Sequence, residues 1–193
     1  PHWFAEKGGF AKRANMKYWR DFVHAVVQNL DFSSISYVIT VNEANTYSGM
    51  GYFGTEFPPG EMKWGNSLAV YIRLARAHRI AYKIIKNKYP HVQVGFAHQY
   101  NKVVGQDLVG KVYGALQRLY WNYGWIKLTR KRDFIGINYY FADYRNGKTI
   151  NTALNTEPPR SDMGWHMEPS GLYDVLCDVR RRFGKIPLII TEN

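Results

Sequence analysis

Cysteine is nearly absent: Cys177 is the only one, so no disulfide can close within the chain. That fits a reducing compartment, and a cytoplasmic location is the expectation. Its place among apolar residues of a helical stretch predicts an inert core thiol. No run approaches the roughly 18 apolar residues of a membrane-spanning helix, so no membrane partner is expected. Acids are few, 15 Asp and Glu against 26 Lys and Arg, for a formal net charge of +11. Such an excess suits an anionic partner. The basic residues are scattered, however. The clusters Arg130-Lys131-Arg132 and Arg180-Arg181-Arg182 fall beside helix ends, where cations are favoured. Solvated faces explain this pattern better than a nucleic-acid partner. The six histidines and one cysteine show no zinc-type spacing, so neither a metal nor a cofactor is expected. Repeats, low-complexity segments and internal linkers are also lacking.

What is present describes a globular chain. Its 193 residues are 46% apolar and 16% aromatic, enough for a sizeable core and one domain, 1–193. The aromatic content suits a carbohydrate binder, because sugar C–H faces pack on rings, and suits a large core equally well. Four short β-rich runs, 37–41, 92–97, 134–139 and 188–191, are separated by stretches with apolar residues at helical spacing. The first helical stretch follows Asn15, a natural N-cap, with Trp19, Phe22, Val23, Val26, Val27 and Leu30 on one face. The second follows Asn66, buries Leu68, Tyr71, Ile72, Ala75, Tyr82 and Ile85, and ends before Pro90. His78 in its middle reads as a packed, hydrogen-bonded histidine. The third spans about 107–122 with Leu108, Val112, Leu116, Leu119 and Tyr120. The fourth is capped by Ser170, turns Leu172, Val175, Leu176, Val179 and Phe183 inward, and ends at Gly184.

Strand alternating with helix is the pattern of a parallel sheet with right-handed crossovers. A doubly wound open sheet fits it as well as a barrel. No Gly-x-Gly-x-x-Gly or Walker loop follows any strand, which disfavours a nucleotide-binding form. Residues 44–65 and 141–168 are long loops, the second with Pro158-Pro159; long loops in compact domains usually serve function. Residues 1–14 and 98–106 are shorter loops, and 127–132 is a basic turn.

Two of the strands end alike. Residues 37–41 run into Asn42-Glu43, and 188–191 run into Glu192-Asn193. Each delivers a glutamate at its C-terminal end, where parallel-strand barrels place their chemistry. A carboxylate pair facing one sugar ring is the machinery of glycoside hydrolysis.

With these motifs the chain resembles glycoside hydrolase family 1, the β-glucosidase family. The matching segments come in family order. They are Trp3-Phe4 through Gly8-Gly9-Phe10, Thr40-Val41-Asn42-Glu43, Gly51-Tyr52 with Pro58-Pro59-Gly60, and Ala77-His78. Then come 133–140, Gly164-Trp165, Pro169-x-Gly171-Leu172 and Ile190-Thr191-Glu192-Asn193. The resemblance implies a (β/α)8 TIM barrel and a retaining β-glycosidase. A complete barrel needs about 250 residues, so this chain is expected to supply about strands four to seven. It implies Glu43 as acid/base and Glu192 as nucleophile. It implies Asn42 as a ligand of the sugar 2-hydroxyl, Tyr140 as a partner of the nucleophile, Asn138 as support at the same strand end, and Trp165 as a platform on the leaving-group side.

The chain departs from the family pattern in two places within the motifs. Ala44 stands where proline usually follows the acid/base, and Val38 where tryptophan precedes Thr40. The expected partners are a small β-glycoside and complementary barrel strands from the rest of the enzyme or another chain. Two other readings stay open: an inactive glycosidase-like protein that binds sugars or a partner, and, far behind, a basic nucleic-acid-binding module.

Overall fold

A computed structural model describes residues 1–55, 57–147 and 159–193. In chain order the strands are β1 (Tyr37–Asn42), β2 (Gln93–Gln99), β3 (Lys102–Gly105), β4 (Phe134–Asn138), β5 (Ala142–Arg145) and β6 (Leu188–Glu192). The helices are α1 (His2–Glu6), α2 (Met16–Asn29), α3 (Ala44–Tyr52), α4 (Trp64–Lys88), α5 (Leu108–Gln117), α6 (Trp125–Leu128) and α7 (Ser170–Phe183). A four-stranded sheet has the order β1-β2-β4-β6, and a two-stranded sheet pairs β3 with β5. The chain forms two compact units, Pro1–His98 with Trp125–Gly136, and Gln99–Gly124 with Ile137–Asn193.

In the first unit β1 and β2 are parallel, with Tyr37 opposite Gln93 and Ile39 opposite Gly95. A parallel strand covered on both faces reads as an apolar run, and β2 is such a strand, whereas β1 exposes Tyr37 and Ile39. Six of the seven residues of β2 are buried. Gly95 is required for close packing: a β-carbon there would stand 2.6 Å from the Phe134 carbonyl oxygen. The core beside this sheet joins Val23 and Val27 of α2, Phe32, Ala81 and Ile85 of α4, and Val92 and Val94. Each buried aliphatic of this kind contributes about 2 kcal/mol. Trp19 ties α2 to α4 by donating its indole N–H to the Ala77 carbonyl at 2.9 Å.

In the second unit β3 and β5 run parallel, Lys102 opposite Ala142 through Gly105 opposite Arg145. Asp107 caps α5, its carboxylate accepting the Gly110 N–H at 2.7 Å. A π-helical stretch, Arg118–Gly124, follows α5 directly.

Several sequence expectations are corrected. The start is not wholly loop but holds α1. Asn15 precedes α2, yet its amide donates to the Lys7 and Gly9 carbonyls, both at 2.9 Å, and pins the preceding turns rather than capping the helix. The long loop after Glu43 begins as α3, which its small residues allow to pack closely; Ala44, Ser48, Gly49 and Gly51 are buried. Helix α4 starts at Trp64, and Asn66 inside it donates to Glu61 at 3.0 Å. Segments 98–106 and 141–168 each hold a short strand, and part of 127–132 is helical. Pro169, not Ser170, occupies the N-cap of α7. Residues 148–158 of the second long loop, with Pro158, lie outside the described residues.

Burial also differs from expectation. Cys177 is exposed, because Gly171, Val175 and Val179 set the inward phase of α7. Phe22, Leu68, Ile72, Leu108, Val112, Leu116 and Leu119 are exposed as well. On α4 the inward stripe is Val70, Tyr71, Leu74, Ala75, Ala77, His78, Ala81 and Ile85.

His78 is fully buried. Its Nε2 lies 2.5 Å from the Lys131 carbonyl oxygen. A carbonyl only accepts, so Nε2 carries the hydrogen, and Nδ1 accepts from the Thr40 hydroxyl at 2.6 Å. Burial lowers its pKa to about 4. The imidazolium is therefore favoured in the unfolded chain. Stability should be full above the unfolded pKa of about 6.5 and fall as pH drops towards 4, by up to about 3 kcal/mol. Denaturant unfolding between pH 7 and 4 measures this. His78→Gln should be less stable at pH 7, yet flatten the loss in that window.

Candidate active site

The C-terminal end of β1 carries Asn42 and Glu43. Ile39 is opposite Gly95 but Asn42 is opposite Ala97, so β1 holds one extra residue over two of β2. Bulges of this kind re-aim the side chains beyond them. Glu43 follows at φ 46° and ψ 55°. This is the left-handed region, which non-glycine residues enter at about 1 kcal/mol or more and which clusters at functional sites. Two hydrogen bonds hold it there. The Glu43 N–H donates to the Ala97 carbonyl at 2.9 Å, and its carbonyl accepts the Tyr47 N–H at 2.9 Å, the first turn of α3. Ala44 behind it is fully buried. Asn42 is exposed and lines a cleft of about 230 Å³ with Phe10, Trp19, Thr40 and Tyr47.

The second unit gathers the other four residues. The Glu192 carbonyl accepts the Tyr139 N–H at 3.1 Å, which fixes the end of β6. The Tyr140 hydroxyl donates to Glu192 Oε2. Asn138 is fully buried at the end of β4. Its backbone carbonyl accepts the Tyr100 N–H at 2.9 Å, and its side-chain oxygen accepts the Thr191 hydroxyl at 2.5 Å. Trp165 packs on Tyr140, centroids 5.6 Å apart, and on Phe141 at 5.1 Å. Thus Asn138, Tyr140, Trp165 and Glu192 are brought together, and Glu43 with Asn42 belongs to the first unit.

Sequence reasoning missed several members of this group. Asn193 donates its amide to the Tyr139 carbonyl at 2.8 Å. Met163 and Met167 join Tyr139, Tyr140 and Trp165 around a cleft of about 450 Å³. A methionine two residues either side of a tryptophan beyond a glycine was the available signal. The turn carrying Trp165 is closed by the Ser161 N–H on the Trp165 carbonyl at 2.9 Å, with Gly164 at φ 75°.

Behind this turn, Lys102 bridges Glu168 at 2.5 Å and Asp174 at 2.8 Å, and Tyr144 donates to Glu168 at 2.6 Å. Burial alone would raise the Glu168 carboxyl, but Lys102 and Tyr144 hold it below its ordinary value. The buried Tyr139 hydroxyl donates to the Glu168 carbonyl at 2.8 Å. A glycine-like surface must face that hydroxyl. A β-carbon on Gly171 would lie 1.9 Å from Tyr139 Oη and 2.7 Å from its Cζ.

Strands and helices alternate in the α/β fold that carries these residues. Solved structures agree. The β-glycosidase from Pyrococcus horikoshii matches with a TM-score of 0.87 at 25% identity, over 100% of this chain and 50% of that one. The β-glucosidase from Thermotoga maritima in complex with deoxynojirimycin matches in fold with a TM-score of 0.85 at 18% identity, over 100% and 51%. The chain has the fold of part of a (β/α)8 TIM barrel.

The model of glycosyl hydrolase family 1 matches residues 1–127 and 120–193, and the chain belongs to that family. A chloroplastic β-glucosidase-like protein of Oryza sativa is 28% identical over 100% of this chain and 32% of its own length. A β-galactosidase of Saccharolobus solfataricus is 27% identical over 80% and 38%. β-Glucosidase A of Acetivibrio thermocellus is 25% identical over 100% and 52%. The chain thus spans a third to a half of these relatives. Among the described residues no helix is long and apolar enough to cross a membrane.

Gly171→Ala tests how tightly Tyr139 is held. It should lower stability by about 1–3 kcal/mol in denaturant unfolding, the range of overpacking changes. Gly65→Ala is the comparison, since nothing lies within 4 Å of a β-carbon there. That change near the start of α4 should be neutral or stabilising by up to about 1 kcal/mol.

Proposed function

We propose that the protein carrying this chain is a retaining β-glycosidase, β-glucosidase-like, working through a covalent glycosyl-enzyme. The observation that carries the reading is the Tyr140 hydroxyl donating to the Glu192 carboxylate at the end of β6, in a chain of glycosyl hydrolase family 1. A phenol donor on the carboxylate fixes its rotamer, as a nucleophile requires. The relatives' names support the substrate class. The substrate is a small β-glycoside, and the remaining barrel strands come from the rest of the enzyme or another chain. A cytoplasmic setting belongs to this reading and rests on the single cysteine.

Glu192 attacks the anomeric carbon while Glu43 gives its proton to the leaving oxygen. The product is a glycosyl ester on Glu192 and a free alcohol. Esterification removes the charge at Glu192, so the Glu43 carboxylate takes a proton from water as that water attacks the same carbon. The carboxylate of Glu192 leaves, and two inversions give net retention. The scheme requires the two carboxyls about 5–5.5 Å apart, against roughly 6.5–9.5 Å for inversion. Asn42 hydrogen-bonds the sugar 2-hydroxyl, and Asn138 holds the strand end. The Trp165 ring with Met163 and Met167 offers an apolar surface to the leaving group.

Variants of the full-length protein separate the two roles. Glu192→Gln should lower turnover of every β-glycoside by at least about a thousandfold. Glu43→Gln should lower turnover of unactivated substrates by about 10²–10⁴-fold. With a nitrophenyl β-glucoside, however, it should give a burst and then a slow phase, because attack needs little acid help and hydrolysis still needs a base. Azide, which needs no base, should speed the slow phase and yield the β-glycosyl azide, read by NMR. An α-glycosyl azide, or two variants failing identically on all substrates, would refute the assignment.

A further inference from the structure

Helix α4 runs 25 residues without one Asp or Glu, and carries six Lys and Arg. On exposed helices acids normally sit three or four residues from such cations and offset them. Three of the six have structural partners instead. Arg73 donates to the Phe10 and Ala11 carbonyls at 3.1 and 2.6 Å. Lys86 bridges Asp133 at 3.0 Å, and Lys88 donates to the Val27 carbonyl at 2.9 Å.

The other three, Arg76, Arg79 and Lys83, follow at i, i+3 and i+7, a single exposed stripe. Arg20 of α2 joins them around a cleft of about 350 Å³ whose remaining lining residue is Ile80. All four cations belong to the first compact unit. No carboxylate lines the cleft, and among the described residues none of the four has an ion-pair partner. Lys17, three residues before Arg20, extends the positive face along α2. Asp21 is adjacent in sequence but outside the lining.

Gathering four unpaired cations in one concavity opposes folding, and scattered solvated charge would not need it. A concave surface lined by one sign of charge also raises the local potential for an anion. Three guanidinium groups present planar forks that match phosphate oxygens two at a time, and a lysine adds a point charge. We propose that this α2–α4 cleft binds a small soluble molecule carrying two linked phosphate groups. Arg76 and Arg79 hold one group, and Arg20 and Lys83 the other. A single carboxylate would leave half of these charges unmatched.

The test is calorimetric titration of the full-length protein with pyrophosphate. Binding should be measurable at low salt, weaken steeply as salt rises, and be reduced about tenfold or more by Arg76→Gln/Arg79→Gln, as expected for lost charge-assisted bonds. Arg20→Gln, on the other helix, should weaken it in the same direction, which keeps the proposal testable should α4 not tolerate the double change. Lys111→Gln/Lys127→Gln removes the same charge elsewhere and should leave binding within about twofold. Hydrolysis of a nitrophenyl β-glucoside should be unchanged in the Arg76→Gln/Arg79→Gln variant, which separates this site from the proposed glycosidase. Three results overturn the proposal: no pyrophosphate binding, equal loss in the Lys111→Gln/Lys127→Gln control, or binding to phosphatidylglycerol vesicles without binding of pyrophosphate.

Discussion

A strand covered on both faces must pair every backbone N–H and C=O with another strand or end loop, because water cannot reach it. β4 is buried over its whole length and β2 over all but its first residue. That constraint reaches the strand ends. The Ala97 carbonyl takes the Glu43 N–H, the Asn138 carbonyl takes the Tyr100 N–H, and the Glu192 carbonyl takes the Tyr139 N–H. Each bond falls at or next to a residue of the candidate site. In each unit, then, the hydrogen bonds that close the strand ends also fix the backbone at a candidate residue.

The two glutamates are held differently. Glu43 is held through its main chain, by a bulge in β1, a positive φ and the first turn of α3. Glu192 has an ordinary strand backbone and is held through its side chain, by the Tyr140 hydroxyl. The proposed roles suit this difference. A group that gives and takes a proton at one fixed point profits from a fixed main chain. A nucleophile must keep one rotamer, and a donor on its carboxylate serves that need.

What was legible in the sequence followed from strong local constraints. The four long strands were read to within one or two residues, because apolar runs bounded by Pro, Asp or Asn-Glu leave few alternatives. Asn138, Tyr140 and Trp165 were named from motif resemblance, and the structure groups them around Glu192. The failures lie where local signals are weak. Nothing in Ala44–Tyr52 repeats at helical spacing, yet small buried residues and the Glu43 carbonyl make it a helix. β3 and β5 have four residues each, and only their mutual pairing defines them. Cys177 was assigned inward because it sits among apolar neighbours, but one step of 100° beyond Leu176 turns it outward. The Lys102–Glu168–Tyr144 cluster joins residues 42 and 66 positions apart, and no local pattern announces it.

The long helix α4 shows how one periodicity serves two demands. Every third or fourth residue from Val70 to Ile85 turns into the core and includes His78, whose burial keeps the ring neutral and its two hydrogen bonds fixed. The residues between them must then face water, and here they are Arg76, Arg79 and Lys83. A neutral His78 is also what that outer face demands, since a second cation in the low-dielectric wall behind Arg79 would repel it. Arg79 indeed helps depress the His78 pKa, after burial and the Arg132 charge. The core histidine and the exposed stripe are thus two phases of one helical repeat.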